Sequence, residues 1–261
     1  MRRIAIMQGR LGPPEDGRFQ SFPRARWRDE FAAAAAAGLD AIEWIFDLYG
    51  EDVNPLATDA GVAEMAALTR STGTAVVSCC ADYFMERPLT QAKLAWLMGR
   101  CRMAGITRVV LPFVDSSRIT AEDPVVAILE QALRAAEEAR VELHLETDYA
   151  PEDFARLLAR LPSAWVKANY DSGNSSSLGY VVGEELAAYG PRIGSVHIKD
   201  RVRGGGTVPL GTGDADIPAL LEGLADLGYA GDFVLQVARG TAGDEVAWAR
   251  HNRAYLTGVL A

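Results

Sequence analysis

Cysteine and histidine are both scarce in this chain, at three residues each in 261. Cys79, Cys80 and Cys101 match no zinc or redox spacing. Adjacent cysteines rarely bridge, and an odd count leaves no disulfide framework, so reduced thiols in a cytoplasmic protein are expected. An excess of positive charge is also missing. The 35 acids against 26 lysines and arginines give a formal net charge of −9. Duplex nucleic acid calls for a basic face, so nucleic acid is not an expected partner. Long apolar runs are absent too. The run inside MRRIAIMQGR stops at Met7 and meets Arg10, too short for a secretory leader. No stretch approaches the ~20 apolar residues of a membrane span, so no membrane partner is expected. Last, there is no G-x-G-x-x-G. MQGRLGPPEDG carries two prolines that would break a helix starting there, and GGGTVPLGTGDAD at 204–216 lacks the P-loop lysine and hydroxyl residue. The main argument for a doubly wound nucleotide-binding sheet is therefore gone.

What the chain does have is a rhythm. Helix-like, alanine-rich segments end at a glycine, and a β-branched apolar run follows. FAAAAAAG leads into LDAIEWIF, MAALTRSTG into TAVVSCC, LMGRCRMAG into ITRVVLP, and LADLGYAG into DFVLQVA. Glycine adopts the left-handed conformation that stops a helix. Gly38, Gly73 and Gly105 lie 35 and 32 residues apart. Eight units of that period fill the chain, which predicts one α/β domain over 1–261, a (β/α)₈ TIM barrel. The eight strands are expected at Ile4–Gln8, Ala41–Phe46, Ala75–Cys80, Arg108–Pro112, Glu142–Thr147, Trp165–Tyr170, Ser195–Lys199 and Phe233–Val237. Most are apolar on both faces, as parallel strands covered by helices should be.

The polar residues fall at the ends of these strands. Arg10 follows the first, Glu43 sits in the second, Asp82 follows the third and Asp115 the fourth. Glu146 closes the fifth and Asp171 follows the sixth. His197, Lys199 and Asp200 close the seventh, and Gln236 and Arg239 the eighth. In a barrel these ends converge on one face, where active sites are built. Polarity resuming after a strand explains Asp115 well. It does not explain Glu43, Glu146, His197 and Gln236, which are embedded in apolar runs and need partners. Strand alternation places His144 on the face of Glu146, and Ser195 and Lys199 on the face of His197. Two carboxylates, an imidazole and an amide oxygen form a mixed donor set. It suits manganese, magnesium, cobalt or zinc without selecting among them.

Five pieces in this order, GLDAIEW, LHLET, NYDSGN, VHIKDR and PLGTGDADIPALLEGLADLGYAGDFVLQ, resemble the xylose-isomerase-like TIM barrels, a family of sugar and sugar phosphate isomerases and epimerases. The resemblance spans essentially the whole chain. It implies metal ligands at Glu146, Asp171, His197 and the strand-8 position, Gln236. It also implies a proton-transferring role for Glu146. The family usually has glutamate at the strand-8 position, and an amide takes no proton at neutral pH. Two-base epimerisation would then need a substitute, for which Glu43, His144 and Lys199 are candidates. Asn174 falls where some relatives place a substrate-binding histidine, and Arg203 where some place a sugar-contacting arginine. Arg10, Glu43, Asp82, His144, Lys199 and Asp200 complete the expected substrate-binding set. Tyr83, Phe84 and Trp44 are candidate walls of a sugar pocket, and Arg201, Arg203, Arg239 and the 204–206 glycines a candidate phosphate site. The implied activity is metal-dependent isomerisation or epimerisation of a small sugar. The alternatives are dehydration of a keto-sugar or cyclitol, and a catalytically silent sugar-binding barrel. Barrels of this size often pair, so a homodimer is a further expectation.

Overall fold

The structure is a computed structural model that describes residues 2–260. Eight parallel strands close into a barrel: β1 Ile4–Met7, β2 Ala41–Ile45, β3 Ala75–Cys80, β4 Arg108–Phe113, β5 Glu142–Thr147, β6 Val166–Asp171, β7 Ile193–Ile198 and β8 Phe233–Leu235. Helices α1 Asp29–Ala36, α2 Asp59–Thr72, α3 Gln91–Met103, α4 Glu122–Ala139, α5 Pro151–Arg160, α6 Ser172–Leu178, α7 Val182–Tyr189, α8 Ile217–Asp226 and α9 Glu245–Val259 fill the connections. A two-residue antiparallel ribbon, Asp200–Arg201 with Thr207–Val208, projects after β7. The expected (β/α)₈ barrel is the fold observed.

Local chemistry explains the periodicity. Gly73 closes α2 with φ +77°, a left-handed turn that costs other residues steric strain. Gly38, Gly105 and Gly228 take the same hand at the other helix ends singled out in the sequence. The expected strands coincide with β3 and β5 at both ends and differ elsewhere by one or two residues. The difference at β8 affects the site. This strand ends at Leu235, so Gln236 lies just beyond it, with its N–H held by the Ile198 carbonyl at 3.0 Å.

Apolar side chains between strands and helices form the main core, and Ala5, Ala41, Val77 and Val234 form a small separate cluster. The barrel interior also carries a polar set: Glu43, Ser78, His144, Asn169, Ser195 and His197 are each at most 2% exposed. Among the described residues no helix is long and apolar enough to cross a membrane.

Candidate metal centre

Parallel register fixes the heights of the key residues. Asp171 pairs with His197 across β6 and β7, and His197 pairs with Val234 across β7 and β8. Ligand atoms of Glu146, Asp171 and His197 consequently lie within 4.8 Å of one another. His197 Nδ1 is 3.3 Å from Glu146 Oε2 and 3.8 Å from Asp171 Oδ2.

Each ligand is held from behind. His197 Nε2 lies 2.7 Å from Glu43 Oε1, and the Ser78 hydroxyl donates to Glu43 Oε2 at 2.6 Å. An ionised carboxylate only accepts, so Nε2 carries a hydrogen and Nδ1 is turned toward Glu146 and Asp171. Asp171 uses Oδ1 to cap α6, accepting from the Gly173 and Asn174 N–H groups at 2.9 and 2.8 Å. Oδ2 is thereby left for the site. Glu146 is held at both oxygens, by Asn174 Nδ2 and by Asn169 Nδ2, each at 2.8 Å.

The electrostatics are those of a centre that attracts cations. Burial penalises the Glu43 carboxylate, but the facing His197 outweighs it and holds the pKa below the usual range. Burial likewise opposes a charged His197, yet Glu43, Asp171 and Glu146 together push its pKa well up. For Asp171, burial is outweighed by the Lys199 ammonium and by His197, and the pKa falls. The Lys199 ammonium donates to Asp171 Oδ2 and Asn174 Oδ1 at 3.1 Å each, and to Gln236 Oε1 at 2.9 Å. Gln236 Nε2 reaches Gln20 Oε1 at 3.2 Å, and Gln20 Nε2 donates to Asp82 Oδ2 at 2.8 Å. Asp82 is pushed up to about 6, by burial first and by the nearby Asp47 and Glu146 charges.

A cavity of about 450 Å³ opens above the centre, with Asp82, Glu146, Asn174, Lys199, Arg201 and Gln236 in its wall. Of the residues expected at the site, Asp82, Glu146, Asn174, Lys199 and Gln236 line the cavity, Asp171 and His197 meet Glu146 beside it, and five others lie elsewhere. Glu43 lies beneath the floor, on His197. His144 shares the inward face of Glu146 but sits two residues lower, bonded to Ser195 Oγ at 2.7 Å and to Glu142 at 2.8 Å. Alternation along a strand gives the face, not the depth. Arg10 turns its guanidinium onto the Val237 and Phe19 carbonyls and Gln20, tying the loop after β1 to the barrel. Asp200 is fully buried and accepts backbone N–H groups from Gly211, Thr212, Gly213 and Ala215. Arg203 packs against Gly179, away from the cavity. Of the candidate phosphate site, Arg201 and Gly206 line the cavity, while Arg239 is engaged by the Phe19 and Gly12 carbonyls.

The aromatic wall also differs from expectation. Trp44 faces outward, packed with Phe22, Trp27 and Phe31 and bonded to Asn54. Tyr83 and Phe84 meet edge to face outside the lining, and Phe19 and Met85 line the cavity instead. Sequence reasoning missed Arg18, Phe19 and Gln20 altogether. One signal was available: the connection over residues 8–28 is long for a barrel, and long connections are usually functional.

Two carboxylates and an imidazole oriented by a carboxylate behind it fit a divalent cation. This (β/α)₈ barrel, with a polar cluster at the C-terminal ends of its strands, has the architecture of barrel enzymes in general. The model of the xylose isomerase-like TIM barrel family matches residues 31–258, and the chain belongs to that family. Comparison with curated protein sequences gives no significant match. Among solved structures, a xylose isomerase domain protein from Planctomyces limnophilus superposes with TM-score 0.76 at 18% identity, covering 99% of this chain and 96% of that one. D-psicose 3-epimerase from Clostridium cellulolyticum H10, determined with D-tagatose, gives 0.75 at 14% identity and 99% coverage of both chains. The zinc-bound IolI protein gives 0.76 at 17% identity and 98% of both. At these identities the likeness is one of fold.

Proposed function

We propose that this protein is a divalent-metal-dependent sugar isomerase or epimerase that removes a proton beside a carbonyl, with Glu146 as the base. The supporting observation is the convergence of Glu146, Asp171 and His197, backed by Glu43, beside a cavity of about 450 Å³ that Glu146 lines. The family, and a relative named as a ketose 3-epimerase, point the same way. Glu146, Asp171 and His197 would hold the cation, and Gln236 Oε1 offers a neutral fourth donor. A divalent ion there supplies Lewis acidity toward a carbonyl and its neighbouring hydroxyl.

The chain's own residues do the rest. Asn169 and Asn174 fix the Glu146 carboxylate, which takes the proton from the carbon beside the carbonyl. Gln236 takes no proton, Glu43 and His144 do not reach the cavity, and Lys199 is committed as a donor to Asp171, Asn174 and Gln236. One-base chemistry follows, which favours aldose–ketose isomerisation over epimerisation: the same carboxylate returns the proton on the same face, to the neighbouring carbon, while the hydroxyl proton passes to the former carbonyl oxygen. Five carboxylates line the cavity against three cations, Arg18, Lys199 and Arg201. Arg201 is already engaged by Asn174 and Gly205, which favours an uncharged sugar over a sugar phosphate.

The test is nuclear magnetic resonance of Mn²⁺- or Mg²⁺-loaded protein in deuterated water with a panel of ketoses and aldoses. Deuterium should enter beside the carbonyl as the isomer accumulates, and Glu146→Gln should lower turnover by about 10²–10⁴-fold. Loss of water from the sugar would identify a dehydratase instead. Full activity in Glu146→Gln, or no exchange on any sugar, defeats the proposal.

A further inference from the structure

Building on the metal-dependent reading above, we infer that the Lys199 ammonium is a built-in counter-cation of the centre, seated where it competes with a divalent ion for Asp171 and Gln236. Three oxygens on three different elements converge on one nitrogen: Asp171 Oδ2 at the end of β6, Asn174 Oδ1 in α6 and Gln236 Oε1 after β8. The lysine side chain is only 12% exposed, and Asp171, itself 1% exposed, is its single ion-pair partner among the described residues.

The seat is built into the surroundings. A Cβ at Gly173 would lie 2.5 Å from Lys199 Cγ, so glycine there leaves the corridor through which the lysine stem reaches the centre. The amide at 236 fits the same arrangement. Its Oε1 faces the ammonium, while its Nε2 donates to Gln20 Oε1, which also accepts from Arg10. A glutamate at 236 would set a second acceptor against Gln20 Oε1 and add a negative charge that one ammonium could not balance. Lys199 and Gln236 thus form a matched pair.

A divalent ion entering among Glu146, Asp171 and His197 meets a positive charge 3.1 Å from one of its own ligand oxygens. Repulsion at that range in a buried site is large, so binding requires the ammonium to leave Asp171. Asn174 and the cavity remain within its reach, so the displaced lysine faces the substrate space.

The experiment is calorimetric titration of EDTA-stripped protein with Mn²⁺ at one fixed pH, comparing wild type with Lys199→Met. Circular dichroism and thermal unfolding in EDTA verify the fold of each. Lys199→Met should bind Mn²⁺ at least tenfold more tightly. Should that variant fail to fold without metal, Lys199→Gln, which keeps a polar head and no charge, carries the same expectation. Equal or weaker binding by the folded variant, beside a wild type that binds, overturns the counter-cation and leaves the metal-dependent reading standing. Binding by the variant alone supports both. No binding by either folded protein overturns the metal-dependent reading and the counter-cation together.

Discussion

At the scale of single residues, the centre depends on what stands behind each ligand. Glu43 never meets the cavity, yet it decides which nitrogen of His197 faces it. Asp82 is a different case, a cavity-wall carboxylate on which, among the described residues, only the neutral side-chain donors Gln20 and Cys80 sit. Its pKa rises from 3.8 to about 6, so the folded protein holds this proton more firmly than the unfolded chain. The resulting stabilisation is complete below pH 3.8 and is lost as pH rises through about 6. Asp82→Asn should therefore be more stable than wild type at pH 7–8, by about 1–2 kcal/mol, with the gap closing below pH 4. Urea unfolding midpoints between pH 4 and 8 measure this. A gap that widens toward low pH would contradict it. Strand-end position and the family resemblance together pointed to Glu146, Asp171 and His197. They misjudged Glu43 and His144, because sequence alternation carries no information on depth inside a closed barrel.

At the scale of elements, the connection after β7 shows how a polar residue at a strand end can serve architecture. Asp200 gathers four backbone N–H groups of the 211–215 turn at 2.9–3.1 Å. Without that carboxylate those donors would lose their partner in a partly buried turn. Asp200→Ala should cost about 2–4 kcal/mol and raise amide hydrogen exchange chiefly at Gly211, Gly213 and Ala215. Unaltered exchange in that turn would show that the loop holds itself. In the sequence, Asp200 is indistinguishable from a substrate contact, because both uses demand an acid just past a strand. The loop over residues 8–28 presents the opposite problem. It brings Gln20 between Asp82 and Gln236, and no local pattern marks that residue.

At the scale of the molecule, the two ends of the barrel divide the labour. The strand C-termini hold the candidate centre, and the N-terminal end holds a part-buried ion cluster. Asp232 accepts from Arg108 Nη2 at 2.5 Å and Arg3 Nε at 2.9 Å, joining the segments before β1 and β8 to β4 across the barrel floor. Asp232→Ala strands a buried guanidinium and should cost about 3–5 kcal/mol of stability. Mn²⁺ affinity of the folded variant should stay within twofold of wild type, since this face of a barrel serves stability. Thermal unfolding and calorimetry on one sample check both halves, and a large loss of affinity would show that the two ends are coupled.

The sequence by itself determined the barrel and its strand ladder, and it singled out the three residues that meet at the candidate site. Helix-stopping glycines, apolar strands and polar strand ends are local signals, each legible within a few residues. Only the tertiary structure decided which polar groups share a height and which partner each one meets. His144 descended to the floor, Glu43 moved behind His197, Asp200 turned into a loop, and Lys199 came to rest between Asp171 and Gln236. Those outcomes depend on inter-strand register and on side chains from distant segments competing for the same hydrogen bonds. Neither is written in any one stretch of chain.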